Sequence, residues 1–194
     1  NPTIPNPSSA LPEGWRWVRL GEVCNADSGV WGDISDNSPL CYPVLRSSNI
    51  QDGKLAFNDV TTRKIAEPNI VEKKRLKTGD ILVTTSSGSR DLLGKSALFV
   101  QPSNGQTYLF SNFTIRLKPT VETIEPTFLY LYLQSPRSKQ ILRLLQDTTT
   151  GLRNLDRLGF LIQPIPLPPP LEQKRIAAKV QELMAEVERA RAAC

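Results

Sequence analysis

The stretch TTSSGSRDLLGKSALFV, residues 84–100, holds a Gly-Lys-Ser triplet whose surroundings approach those of a phosphate-binding loop. Such a loop needs a Gly, four residues, then Gly-Lys-Ser/Thr, so that successive backbone N–H groups wrap the phosphates before a helix begins. Here the position due the first Gly is Ser89, and Gly88 is one residue too far from Gly94. A Cβ at that corner disfavours the backbone that Gly permits. Ser96 to Val100 then reads as a strand, where the motif requires a helix. The triplet is therefore expected to be an ordinary loop that binds no ATP.

Other chemistry is limited by residue type. The chain has 194 residues and no His, which removes the commonest general base, the usual zinc ligand and every His-containing triad. Cys24, Cys41 and Cys194 lack metal-ligand spacing and the density of a secreted disulfide scaffold. Reduced thiols in a cytoplasm are the simpler expectation, with a Cys24–Cys41 bridge the alternative. A formal charge of +5 and a pI near 9.2 favour a polyanionic partner. No run of about twenty apolar residues could span a bilayer, so no membrane partner is expected. The opening NPTIPNPSSALPEGW has no initiating Met, and its Pro, Ser and Asn suit an extended linker over 1–10.

Those few chemically active side chains need a scaffold. Strands are predicted at Trp15–Leu20, Tyr42–Arg46, Leu55–Asn58, Asp80–Thr84, Ser96–Val100, Thr107–Phe110 and Phe113–Leu117 from β-rich runs between Gly, Asn, Asp and Ser clusters. EPTFLYLYLQ and SPRSKQILRLLQ each place Pro at a first helical position, with Ser135 capping the second and Ile141, Leu144 and Leu145 forming its apolar stripe. The first helix is apolar nearly all round, so Phe128, Tyr130 and Tyr132 are read as core rather than as a platform for stacked bases. Arg137, Lys139 and Arg143 on the second are read as a solvated face.

The closing PIPLPPPLEQKRIAAKVQELMAEVERARAAC carries the clearest pattern. Its prolines predict an extended strut, and a helix begins at about Pro170 or Leu171. Apolar or small residues then fall at Ile176, Val180, Leu183, Val187, Ala190 and Cys194, spaced 4, 3, 4, 3, 4. That is a coiled-coil seam, and Ile176, Val180, Leu183 and Val187 are its candidate partner-helix contacts. Folding back of the helix onto its own domain is the competing reading.

The order of these parts resembles the specificity subunit of type I restriction-modification enzymes. The likeness rests on LPEGWRWVRLGEVC, LKTGDILVTTSSGSRDLLGKSAL, SNFTIRLKPT with EPTFLYLYLQS, TTTGLRNLDRLGF and PIPLPPPLEQKRIAAKVQEL, and spans nearly the whole chain. The last is the most specific: in that family a proline-rich segment followed by Leu-Glu-Gln-Lys-Arg-Ile hands over from recognition domain to spacer helix. The third consecutive proline, Pro170, and the approach DRLGFLIQP depart from the family pattern. The resemblance implies an α+β fold, with one target-recognition domain at 11–167 built on a mixed, curved β-sheet with packed helices. A strut and coiled-coil helix at 168–194 follow it.

It implies, further, a non-catalytic DNA-recognition subunit without a cofactor. Its partners would be double-stranded DNA, a methyltransferase subunit that uses S-adenosylmethionine, a restriction subunit through the complex, and a second recognition domain or a homodimer partner. The absence of an Asn/Asp-Pro-Pro-aromatic tetrapeptide and of a Gly-rich cofactor strand agrees with a silent chain. Arg and Asn are the side chains that discriminate bases in the major groove, and they must project from loops on a rigid sheet. Such loops give the candidates Arg46, Ser47, Asn49, Arg90, Lys95, Arg153 and Asn154. Trp31, in SGVWGD, is read either as a loop anchor or as a stacking side chain. The alternative function is a coiled-coil assembly adaptor with only non-specific DNA affinity, which sequence-selective, salt-dependent DNA binding would exclude.

Overall fold

The computed structural model of the chain describes residues 10–34, 39–120, 122–149 and 152–192. Six helices lie within them: α1 (Leu20–Val23), α2 (Pro68–Lys74), α3 (Pro126–Gln134), α4 (Pro136–Leu144), α5 (Arg157–Ile162) and α6 (Pro170–Ala192). The α+β expectation holds, but the described strands form several small sheets in place of one. The largest is antiparallel throughout, in the order Cys24–Ser28, Thr114–Pro119, Ile81–Thr84, Ser96–Leu98. Both of its faces are covered. Ile81, Val83, Ile115 and Leu117 point to a core shared with α3, α4, α5 and α6, while Leu82 and Ala97 meet Leu45, Ile50, Leu76, Phe99 and Phe110 on the other side. Two-sided burial explains why the Ile81–Thr84 strand is an unbroken buried run without polar alternation.

Cys41–Leu45 pairs in parallel with Leu109–Phe110 and antiparallel with Thr61–Lys64, which makes the fold mixed. The Cys24–Ser28 and Thr61–Lys64 strands are not legible in the sequence, and neither is α2. The predicted Leu55–Asn58 strand shrinks to Lys54–Leu55, one arm of a hairpin with Ile50–Gln51. The proline strut is a strand after all: Pro164–Leu167 pairs antiparallel with Arg16–Arg19. A two-stranded edge tolerates this, because the prolines fall at alternate positions while Ile165 and Leu167 supply the N–H groups and the buried side chains.

Caps match the residue types. Glu125 accepts from the Phe128 N–H, Ser135 from Ser138 and Asp156 from Gly159, and Pro begins α3, α4 and α6. Phe128 and Tyr132 are buried, and the half-buried Tyr130 donates its hydroxyl to Gly53 O at 2.8 Å. On α4 the buried stripe is Ser138, Ile141 and Leu142, whereas Leu144 is exposed. Cys24 and Cys41 are free thiols, so the bridge is absent, and burial pushes the Cys24 thiol up to about 12. Cys194 and the 1–9 segment lie outside the described residues.

One buried cation fastens the sheet to α2. Arg116 is 8% exposed and grips Asp27 through two bonds of 2.9 and 3.0 Å. It also donates to the carbonyls of Arg75 and Lys73, both at 2.8 Å, at the C-terminal end of α2 where a cation is favoured. The Asp80 carboxylate stands 3.5 Å away and accepts from the Lys77 N–H. Lys74 adds a bond to Asp27 at 2.9 Å. Burial opposes the Asp27 carboxylate, but hydrogen bonds from Arg116 and Lys74 outweigh it and hold its pKa below the ordinary value. At Asp80 burial wins and pushes the pKa up. The linkage signs are opposite: Asp27 contributes stability that is lost as pH falls through its lowered pKa, whereas the Asp80 contribution is lost as pH rises through its raised one. Removal of the cation leaves the buried Asp80 carboxylate without an ion-pair partner among the described residues and Asp27 with Lys74 alone. Arg116→Met should therefore lose about 3–5 kcal/mol of stability in urea unfolding at neutral pH; a loss under about 1 kcal/mol would contradict this role.

Candidate nucleic-acid interface

The loops singled out in the sequence meet at the turn Ser111–Phe113. Val30 N–H donates to Phe110 O at 2.7 Å and Asn112 N–H to Val30 O at 3.1 Å, which brings in SGVWGD. Ser111 N–H donates to Leu45 O at 2.9 Å, beside Arg46. The N–H groups of Thr85 and Ser86 both donate to Phe113 O, at 2.9 and 3.2 Å, anchoring the start of the Gly/Ser loop. Leu155 N–H in turn donates to Thr85 O at 2.9 Å, and Ser86–Ser87 pairs antiparallel with Leu152–Leu155. Gly29 makes the crossing possible, since a Cβ there would lie 2.1 Å from Phe110 O and 2.4 Å from Ser111 O. Each bond adds only about 1 kcal/mol, but together they hold the turn at a junction of segments distant in sequence.

The Gly/Ser loop is not a phosphate cradle. Gly94 N–H donates to Thr84 O and Lys95 N–H to Leu92 O, so the donors that would face phosphate are already used. A strand, Ser96–Leu98, follows as the sequence predicts. Gly94 sits at φ +74° against Leu142 of α4, where a Cβ would be 2.8 Å from a methyl group.

The candidate side chains divide. Lys95 is exposed. Arg46 is half-buried, its Nη2 3.8 Å from Asp59, beyond hydrogen-bond range, and its Nε is buried with no hydrogen-bond partner among the described residues. Ser47 is half-buried in the 3₁₀ turn that follows. Arg153 and Asn154 are half-buried on the strand beside Ser86–Ser87, and Asn154 Oδ1 accepts from Ser86 Oγ at 2.8 Å. The backbone of Arg90 opens a 3₁₀ turn, but its side chain lies outside the described residues, as do Thr150 and Gly151 of TTTGLRN.

Asn49 is a correction. It is 2% exposed, accepts from Arg46 N–H at 2.9 Å and donates to Ala56 O and Asp59 O at 3.1 and 2.8 Å. Its hydrogen-bonding capacity is spent on closing its own loop, and none is left for a base. Trp31 is 65% exposed, edge-on to Phe113 at 6.2 Å and under the Arg63 guanidinium at 4.9 Å. The sequence reading passed over Asn112, Phe113 and Arg63. Asn112 and Phe113 lie within SNFTIRLKPT, where a polar Ser111–Asn112 step between the predicted strands ending at Phe110 and starting at Phe113 was the available signal. Beside the Gly/Ser loop, an open cleft of about 800 Å³ is lined by Lys95, Lys139 and Arg143 and by Asp52 and Asp91. Its mixed charge does not resemble a phosphate groove.

The terminal helix begins in the core and ends in solvent. Gln173 is 1% exposed, accepts from Glu125 N–H at 2.8 Å and donates to Thr123 O and Pro168 O. Trp15 donates its indole N–H to Glu172 at 3.0 Å, so the two ends of the domain meet. Ile176 packs on the domain's own core beside buried Ala177, which takes it out of the predicted seam. Val180 is half-buried, and Leu183 and Val187 are exposed.

A model of the type I restriction modification DNA specificity domain matches residues 12–193. The chain belongs to this family. Its relatives include the StySPI specificity subunit of Salmonella potsdam and the EcoKI specificity subunit of Escherichia coli K12, each 30% identical over 189 residues. In both cases 94% of this chain aligns with 39% of the relative, so the specificity domain described here spans about two-fifths of their length. The HsdS subunit of Thermoanaerobacter tengcongensis superposes at a TM-score of 0.69 with 29% identity, over 95% of this chain and 46% of that one. An S subunit from M. genitalium, at 14% identity and a TM-score of 0.59, shares the fold over 96% of this chain and 44% of its own.

Within this specificity domain, the two kinds of loop residue should respond oppositely to truncation. Asn49→Ala removes the partner of the Arg46 N–H and of the Ala56 and Asp59 carbonyls, and should cost about 1–3 kcal/mol. Lys95→Ala should stay within about 0.5 kcal/mol of the parent. Equal losses in urea unfolding would place Lys95 among the structural residues.

Proposed function

We propose that the chain is a non-catalytic reader of double-stranded DNA that recognises one half of a bipartite target and docks methyltransferase subunits. The observation that carries this reading is the convergence of the polar loops on one rigid, solvent-facing turn. Membership of the specificity-domain family and the net positive charge support it. Base discrimination needs Arg and Asn side chains whose backbone does not move, and the bonds around Ser111–Phe113 supply that rigidity. Arg46, with a loose carboxylate pair and an unpartnered Nε, is a reader of guanine; Arg90, Arg153 and Asn154 complete the reading set, and Ser47 and Lys95 meet phosphate.

The exposed half of α6, through Val180, Leu183 and Val187, packs on a helix of a second recognition domain or of another copy. A methyltransferase subunit carries the chemistry, a restriction subunit joins through the complex, and the assembly works in the cytoplasm.

Selection from a randomised duplex pool should return a short preferred sequence. Lys95→Ala should weaken preferred and random DNA alike and lower the slope of log K against log salt by about one. Binding that is purely electrostatic, with no enriched sequence, would favour the assembly adaptor. For the helix, Leu183→Asp should abolish association with a second recognition domain while the melting transition of the chain is kept, because an unpaired charge in a seam is expensive. Undiminished association would remove the seam.

A further inference from the structure

We infer that the Ser111–Phe113 turn is itself a base-reading element: Asn112 recognises an adenine in the major groove, and the Trp31–Phe113 pair packs on the apolar edge of the neighbouring base pair. This rests on the DNA-reading function proposed above and assigns it to residues outside the loops read from the sequence.

Asn occurs in turns for two ordinary reasons, and neither operates here. It tolerates positive φ, yet among the described non-glycine residues only Asp52 has positive φ. It also caps its own turn by side-chain hydrogen bonds, yet Thr114 does that work, with its N–H and Oγ1 bonding Ser111 O at 3.0 and 2.8 Å. The Asn112 side chain is exposed and bonds to none of the described residues. Its backbone is nonetheless clamped, by the bond to Val30 on its own N–H and by those of Ser111 and Phe113 on either side. A free carboxamide on a fixed backbone is the arrangement that bidentate recognition of adenine N6 and N7 requires.

The aromatic residues make a second, independent anomaly. Trp31 and Phe113 are 65% and 38% exposed, and they touch each other edge to face at 6.2 Å. The Arg63 guanidinium lies over the Trp31 ring at 4.9 Å and bonds to Gly32 O, so the indole has partners without being buried. Apolar contact with a thymine methyl is the complement of such a wall, and the guanidinium beside it suits the negative potential of a duplex.

The test repeats the duplex selection with the full chain carrying Asn112→Ala or Trp31→Ala, after melts have confirmed the fold. Asn112→Ala should lose preference at a single A·T pair and bind the parental sequence about ten- to a hundred-fold more weakly, with random-duplex affinity unchanged. Replacing the adjoining thymine by uracil should weaken the parent but leave Trp31→Ala indifferent. An unchanged selected sequence at unchanged affinity in Asn112→Ala overturns the inference while leaving the DNA-reading function standing. Equal losses on all duplexes would make Asn112 a phosphate contact and overturn it too. If the parent itself selects no sequence, the function and the inference fall together.

Discussion

The buried Arg116 guanidinium is the interaction on which the remaining geometry depends. It lies on the strand that leaves the Ser111–Phe113 turn, and it ties that strand to Asp27 on its sheet neighbour, to Asp80 at the head of the next strand and to the last carbonyls of α2. The Phe110 ring, 5.3 Å from the guanidinium, covers its face. A buried ion pair of this kind is weak evidence for net stability, but loss of one member leaves uncompensated charge in the core. Its consequence here is positional. The strand cannot slide without breaking several charge-assisted bonds at once, so the turn at its start inherits a fixed place.

The two ends of the domain are joined by a second polar device. Glu172 and Gln173 belong to the LEQKRI segment, and they bond Trp15 from LPEGW and the backbone around Thr123, Glu125 and Pro168. The first turns of α6 are thereby part of the core of the domain, and an exposed ion pair of Glu188 with Lys54 ties the helix to the domain again near its far end. A helix docked at its base and exposed beyond Val180 would carry the orientation of the domain to the partner proposed at Leu183 and Val187.

Much of this was legible. The Pro-initiated helices, the start of α6 at Pro170 and the strand that begins at Ser96 after Gly94-Lys95 follow from local rules, and the structure bears them out. The Cys24–Ser28 strand was not legible because CNADS has no β-branched or aromatic residue; its place comes from pairing with Thr114–Pro119. Pro164–Leu167 defied the rule against proline in strands because only alternate N–H groups are needed at a two-stranded edge. Asn49 misled for a related reason: its residue type suits a base, but burial, which sequence does not show, commits it to backbone. Asn112 was missed because its exposure and its idle carboxamide emerge only when segments some eighty residues apart are brought together.

The central claim is that DNA meets the chain at the turn clamped by these segments. Amide and side-chain resonances of the ¹⁵N-labelled chain, followed while the selected duplex is added, test it most directly. The largest shifts are expected at the Asn112 carboxamide and the Trp31 indole N–H, with Leu183 and Val187 of α6 unmoved. Shifts confined to α6 or to the cleft lined by Asp52, Asp91 and Lys139, with the turn silent, would contradict it.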